Sequence, residues 1–343
     1  MTTAILTHPR YAAHTQARHV ERAERLRAIE QALDASGLRR LLTAIEPSAA
    51  EHQHLAALHR PAYLQGLRLA CERGGGHFDA DTYYTHDSWD AATLAAGAAI
   101  RAVQAVAQHE VDNAFALVRP PGHHATPGRP MGFCLINNIA VAARYALDHL
   151  GYDRVAIVDY DVHHGNGTQE AFEQEPRLLF CSTHGSPLYP GTGMANEMGY
   201  AEGVGTTLNI PLPYGCGERS YTHIFDALII PALRRWKPQL ILVSAGFDAH
   251  WADPIGPMAL SVTGFAKLTR MLYDLAGEVC AGRLVLILEG GYNLEALGAS
   301  VVAAFHVLLG HETIPDLLGG SPEQEPDVSR PIDFLQKNHP LFQ

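Results

Sequence analysis

Short apolar runs, each too brief to make a helix, recur along this chain with longer amphipathic stretches between them. The clearest are Ala114–Val118, Val155–Val158, Leu178–Cys181, Leu240–Val243 and Leu284–Leu288. Between and around them, apolar residues fall at helical spacing in Glu21–Leu33, Asp90–Val106, Asn138–His149, Ile224–Leu233 and Gly264–Leu275. Alternation of this kind predicts an α/β protein, with a mainly parallel central sheet flanked by helices. With 343 residues, 47% of them hydrophobic, the chain is long enough to bury one sizeable core. The patches Gly74-Gly75-Gly76 and Gly203-Val204-Gly205 are short and read as loops within it, and no linker divides the chain. We therefore expect one domain over residues 1–313. From Ile314 onward periodicity is lost, and residues 314–343 read as a C-terminal tail that wraps or frays.

Four of the apolar runs end in something polar and unusual. Arg119-Pro120-Pro121-Gly122-His123-His124 follows the first, and Asp159-Tyr160-Asp161-Val162-His163-His164-Gly165-Asn166 follows the second. Ser244-Ala245-Gly246-Phe247-Asp248 and Glu289-Gly290-Gly291-Tyr292 follow the last two. In an open parallel sheet the carboxyl ends of the strands share a crevice, so the four segments can build one site. Asp159, Asp161 and His163 stand at i, i+2 and i+4, which on a strand places them on one face. Buried carboxylates stacked in this way need a compensating charge, and a divalent cation supplies it. Asp161 and His163 offer two ligands and Asp248 a third, while Asp159, deeper in the strand, suits the role of an acceptor that orients a histidine. Taken singly, any of these Asp residues reads equally well as a helix or turn cap.

His123 and His124 follow a rigid Pro-Pro-Gly turn. A carboxylate partner such as Asp159 would push one ring toward the cation, whereas a neutral partner such as Asn166 would leave the other near its ordinary basicity. Tyr292 alone is an ordinary half-buried aromatic, but opposite a metal its hydroxyl could stabilise an oxyanion. The other histidines, including His52, His54, His59 and His223, read as surface or packing residues.

The formal charge of −11 comes without a basic stripe, which excludes a sequence-independent grip on nucleic acid phosphates and suits a cationic or lysine-bearing substrate. Five scattered cysteines without a Cys-x-x-Cys pair argue for a reducing compartment. The N-terminal run Met1–His8 is too short for a signal peptide and nothing approaches a membrane-spanning length, so a cytoplasmic protein is expected. Self-association is left open.

Together these segments, with Gly132-Phe133-Cys134-Leu135-Ile136-Asn137-Asn138 and Glu289 through Asn293, resemble the histone deacetylase superfamily of zinc amidohydrolases from about Thr7 to Leu309. Asn166 is similar to the class II and bacterial branch. The resemblance implies the arginase/deacetylase fold, one Zn2+ per chain held by Asp161, His163 and Asp248, and removal of acetyl or other acyl groups from lysine side chains or related amines. It implies that His124 is the general base for the attacking water, with Asn166 as its neutral neighbour, that His123 paired with Asp159 is its electrostatic partner or acid, and that Tyr292 polarises the carbonyl. It further implies a tunnel walled by Phe133, after Gly132, and by Tyr189, with Asp81 at the rim holding substrate backbone amides. Asp159, Asp161, His163 and Ser182 would match the family's inner monovalent-cation site, of the kind K+ occupies.

Three departures bear on specificity. Position 189 is Tyr where many members have Phe, and Arg18–Leu26 keeps Arg25 but lacks the family's usual prolines. Ile255 stands where polyamine-selective relatives carry a Glu, which weighs against the alternative of an acetylpolyamine amidohydrolase. An arginase-like ureohydrolase shares the fold and the Asp-x-His pattern of Asp248-Ala249-His250, but His164-Gly165-Asn166 stands where a two-metal site wants another Asp. A non-catalytic acyl-lysine binding protein would have lost a ligand, a His or the Tyr, and none is missing.

Overall fold

The protein is described by a computed structural model covering residues 2–343; Met1 lies outside the described residues. Its strands are β1 (Thr3–Leu6), β2 (Thr43–Ala44), β3 (Gly76–His77), β4 (Tyr83–Tyr84), β5 (Asn113–Ala116), β6 (Val155–Asp159), β7 (Leu178–Gly185), β8 (Thr207–Leu212), β9 (Leu240–Ala245) and β10 (Leu284–Leu288). Eight of them form one sheet in the order β2-β1-β5-β10-β9-β6-β7-β8, every pairing parallel, and β3 and β4 make a small antiparallel ribbon. The inner strands β5, β6, β9 and β10 are buried at every residue, as a parallel sheet covered by helices on both faces requires. The α/β fold with a mainly parallel sheet is thus the one expected, and all five expected runs lie in the sheet.

Differences from expectation have local causes. The strand expected at Ala114–Val118 stops at Ala116, although Leu117 still donates its N–H to the Leu6 carbonyl at 2.8 Å. The expected helix Glu21–Leu33 runs instead over Glu24–Ser36, because Glu21 is drawn inward to an ion cluster. The expected helix Ile224–Leu233 is the middle of a longer helical stretch from Glu218 to Trp236 that contains a single π turn, Phe225–Ile229. Helix Leu294–Leu308, which follows Tyr292, gave no amphipathic signal because it is buried on nearly all sides. Within residues 314–343, helix Ser329–Asn338 buries Ile332 and Leu335. Glu325 accepts the N–H groups of Gly217, Arg219 and Ser220, at 3.1, 3.0 and 2.7 Å, and so caps the helix that begins at Glu218.

One buried ion cluster ties the N-terminal segment to the strand ends. Glu21, fully buried, accepts Arg119 Nε and Nη2 at 2.5 and 2.6 Å, Arg25 Nη1 at 3.2 Å and the Tyr83 hydroxyl at 3.1 Å. Arg119 is the residue that leads from β5 into the Pro-Pro-Gly-His-His turn. His14 lies 3.6 Å away, and burial pushes its pKa down to about 3, so it adds no charge. Burial alone would raise the Glu21 carboxyl, but the guanidinium of Arg119 holds it far below the usual carboxylate range. Its folded pKa lies below the unfolded value of about 4.3, so its contribution is complete above that pH and is lost as pH falls toward the folded value. Glu21→Gln should leave two guanidiniums without compensation and lower unfolding free energy by about 3–5 kcal/mol at pH 7. The loss should shrink as pH is lowered below 4; denaturant titrations of both proteins across that range check both statements.

Candidate active site

Strand β6 ends at Asp159, whose register partners are Ser182 on β7 and Ser244 on β9. The pleat does not continue through Asp161 and His163, as the expected alternation required. Each carboxylate instead folds back on the chain: Asp159 Oδ1 accepts the Asp161 N–H at 3.1 Å and Asp161 Oδ1 accepts the His163 N–H at 2.9 Å. These Asx-type turns, rather than a strand, aim the side chains together. From the end of β9, Asp248 joins them, its Oδ1 accepting the Val162 N–H at 2.9 Å.

Asp161, His163 and Asp248 form a buried group whose ligand atoms lie within 4.8 Å of one another, and it is the one such cluster among the described residues. His163 Nδ1 sits 3.2 Å from Asp161 Oδ1 and 3.2 Å from Asp248 Oδ2. Burial lowers the His163 pKa, but the two carboxylates outweigh it and push it up to about 10. Burial, reinforced by the charge on Asp161, pushes Asp248 up to about 7. His163 thus lies between both carboxylates, and a divalent ion would satisfy the same three residues. The glycines fit this reading. A Cβ on Gly290 would stand 2.1 Å from Asp248 Oδ2 and 2.6 Å from Asp161 Oδ2, and one on Gly246 2.0 Å from Asp161 Oδ2. Gly290 also donates its N–H to Asp161 Oδ2 at 2.8 Å. One nitrogen and two carboxylates, with His163 and Gly290 lining a cavity, suit a metal that keeps a position free for water.

The two histidines differ as their neighbours dictate. His123 Nδ1 donates to Asp159 Oδ2 at 3.0 Å, and its Nε2 is 3.8 Å from Asp161 Oδ1. Burial opposes its charge, but Asp159 and Asp161 prevail and push its pKa up to about 10. His124 Nδ1 donates to Asn166 Oδ1 at 2.8 Å, an assignment supported by Asn166 Nδ2 pointing at the His124 carbonyl and at Met131 Sδ. That bond leaves Nε2 as the unprotonated nitrogen. Burial and the positive charge of His123 hold His124 well below the ordinary imidazole value.

Above this floor is a cavity of about 210 Å3, lined by Asp81, Pro121, His123, His124, Gly132, Phe133, His163, Tyr189, Ile255, Gly290 and Tyr292. It gathers every expected tunnel and rim residue. Gly132 and Phe133 both adopt positive φ, +56° and +67°, and a Cβ on Gly132 would meet the His124 ring at 2.3 Å. Phe133 stands edge-on to Tyr292, with ring centroids 5.8 Å apart, and Tyr189 edge-on to His124 at 5.1 Å. Burial keeps the Tyr292 hydroxyl protonated. A larger groove of about 610 Å3 lies between helices Glu24–Ser36 and Leu294–Leu308; small and apolar residues such as Ala28, Ala32, Gly298 and Leu318 dominate its lining, and its polar residues Gln31, Ser36 and Glu295 form no metal-ligand group.

Other residues reach the site through contacts that their local sequence does not announce. Arg25 donates Nε to the Gly291 carbonyl at 2.7 Å and Nη2 to the Glu289 carbonyl at 2.6 Å, and its guanidinium lies over the Tyr292 ring, 4.9 Å from the centroid. Glu289 Oε2 accepts the N–H groups of Gly122 and His123, at 2.6 and 3.1 Å. His19, one of the histidines expected to be surface or packing residues, donates to the Asp81 carbonyl at 3.0 Å and stands edge-on to Phe133. Of the other histidines, His59 is a packing residue, its ring set between the Thr126 carbonyl and the Asn137 N–H. Gly290→Ala places a methyl group where the two carboxylates now sit. It should weaken metal binding by about 10–100-fold while the protein still folds, as metal titration followed by circular dichroism would register.

Comparisons with known proteins bear on what this arrangement is. The sequence profile described as the histone deacetylase domain matches residues 19–308. A probable deacetylase of Archaeoglobus fulgidus is 44% identical over 298 residues, covering 86% of this chain and 82% of its own. A histone deacetylase-like amidohydrolase of Pseudomonas aeruginosa is 40% identical over 276 residues, 80% of this chain and 73% of its own. The chloroplastic histone deacetylase 14 of Arabidopsis thaliana is 40% identical, covering 88% of this chain and 75% of its own. Among solved structures, that of the HDA15 HD domain superposes with a TM-score of 0.90 at 36% identity, over 100% of this chain and 98% of that one. The chain belongs to the histone deacetylase family.

Proposed function

We propose that this protein is a zinc-dependent deacylase that hydrolyses N-ε-acyl-lysine, or a related acylated amine, to the free amine and a carboxylate. Membership of the family supports a deacetylase or amidohydrolase. The observation that carries the finer reading is that His163, clustered with the buried Asp161 and Asp248, lines a cavity that His123, His124 and Tyr292 also line.

A divalent cation held there supplies a Lewis acid that polarises the amide carbonyl and acidifies water. The residues around it do the rest. His124, with Nδ1 committed to Asn166, takes the proton of the attacking water on Nε2 and passes it to the leaving amine nitrogen. Tyr292 donates its hydroxyl to the carbonyl oxygen as negative charge develops there. The His123 imidazolium, held by Asp159 behind it, lines the cavity and adds positive potential there without itself needing to give up a proton. Phe133 and Tyr189 flank the acyl-lysine stem and exclude water, and Asp81 at the rim accepts substrate amides.

The proposal also includes an inner monovalent cation such as K+ at Asp159, Asp161, His163 and Ser182. Its support is the register pairing of Asp159 with Ser182. A cytoplasmic location belongs to it as well. The five cysteines are unpaired, and no helix of the described residues is long and apolar enough to cross a membrane. At position 255 the cavity lining carries an isoleucine, which offers no charge to a second ammonium and leaves Asp81 as the one carboxylate of the lining; this favours acyl-lysine over acetylpolyamines, and a single metal group favours either over a two-metal ureohydrolase.

Turnover measured on metal-defined protein against acetyl-lysine peptides, longer acyl-lysine peptides and acetylputrescine tests the reading. Acetyl-lysine peptides should be preferred and a chelator should abolish activity; turnover that survives complete metal removal would overturn the proposal. Tyr292→Phe should lower kcat by about 10²–10³ with metal retained. Unchanged turnover would remove Tyr292 from the mechanism.

A further inference from the structure

The loop that leaves Asp248 returns to the cavity mouth through Asp253-Pro254-Ile255, and the Asp253 side chain is folded inward, with only 9% of the residue exposed. Its Oδ2 accepts the N–H of Tyr292 at 2.7 Å and that of Asn293 at 3.1 Å, while Oδ1 accepts the N–H of Ile255 at 3.1 Å. Asn293 returns the contact, its side-chain amide donating to the Ala252 carbonyl at 2.9 Å. One carboxylate thus binds three main-chain donors from two loops that are otherwise distant in sequence. One loop carries a proposed metal ligand and the rim residue, and the other carries Tyr292.

That placement has a consequence for the tyrosine. Tyr292 follows Gly290 and Gly291, the latter at φ +115°, so the chain leading to it has little conformational restraint of its own. Immediately after it, Asn293 caps helix Leu294–Leu308 by accepting the Ala296 N–H at 3.0 Å. Arg25 grips the turn at the Glu289 and Gly291 carbonyls, and the N–H groups of Tyr292 and Asn293 are left to Asp253. Charge-assisted bonds of this kind are stronger than neutral ones and hold geometry as well as energy. A displacement of about 1 Å in a group that must meet the reacting oxygen costs on the order of 10²-fold in rate.

We propose that Asp253 is a positioning residue that acts through Tyr292, fixing the phenol hydroxyl relative to the Asp161–His163–Asp248 group and setting Ile255 at the rim with the same carboxylate. The inference rests on the deacylase reading above. Asp253→Asn preserves volume but leaves one carbonyl oxygen for three donors. Its kcat should fall by about 10–100-fold, with KM within about threefold of the parent and metal content unchanged. In the background of Tyr292→Phe the same substitution should cost less than about twofold, because the group it positions is gone. Unchanged kcat in Asp253→Asn, a full additional loss in the double variant, or a loss that tracks metal content would each overturn the inference.

A second measurement does not depend on the variant folding. In the unaltered, metal-loaded protein the amide hydrogens of Tyr292 and Asn293 should exchange far more slowly than in an unstructured peptide; exchange at the peptide rate would also overturn it. Failure of the underlying reading would look different, since the unaltered protein itself would then show no acyl-amide turnover.

Discussion

Two buried carboxylates, Asp161 and Asp248, face each other across the ends of neighbouring strands β6 and β9, and this repulsion is what the surrounding structure must satisfy. Backbone N–H groups from Val162, His163 and Gly290 take some of their lone pairs, and His163 Nδ1 lies between the rest. Hydrogen bonds alone do not cancel two charges in a buried site. The arrangement makes sense as a receptor for a cation, and Gly246 and Gly290 keep their Cβ space empty because the carboxylates fill it.

The rest of the site is arranged at increasing distance from that pair. His123 sits against Asp159 and close to Asp161, which makes it the charged ring, and that charge helps keep His124 neutral. Farther out, Glu289 grips the turn that presents both histidines, Arg25 grips the turn that presents Tyr292, and Glu21 joins Arg25 to Arg119. Charged side chains that would be costly to bury singly are tolerated here because Arg25 and Glu289 satisfy main-chain groups of loops carrying chemistry and Glu21 pairs with two guanidiniums.

Much of this was legible in the sequence. Five strand runs stood out because inner strands of a parallel sheet are apolar throughout, and four of them announced the site by what followed them. Strands β1 and β8 did not stand out, β1 carrying an apolar run of only Ala4-Ile5-Leu6 and β8 mixing Thr207, Asn209 and Pro211 among its apolar positions. Asp81, His123, His124, Gly132, Phe133, His163, Tyr189, Ile255 and Tyr292 line one cavity, with Asp161 and Asp248 clustered at His163, yet Asx turns rather than the expected continuing pleat bring Asp161 and His163 together. Arg25, Asp253, Glu289 and His19 could not be assigned from local pattern. Arg25 acts on a carbonyl 264 residues away, and Asp253 on main-chain groups 39 and 40 residues away. Only the folded chain brings such partners together, and main-chain acceptors leave no mark in the residue types.

The account stands on the claim that Asp161, His163 and Asp248 together hold one divalent ion. Crystals of the metal-loaded protein, measured on both sides of the zinc absorption edge, test it most directly. The account predicts a single strong anomalous peak bounded by Asp161, His163 Nδ1 and Asp248; an empty position there, or a strong peak elsewhere in the chain, would contradict it.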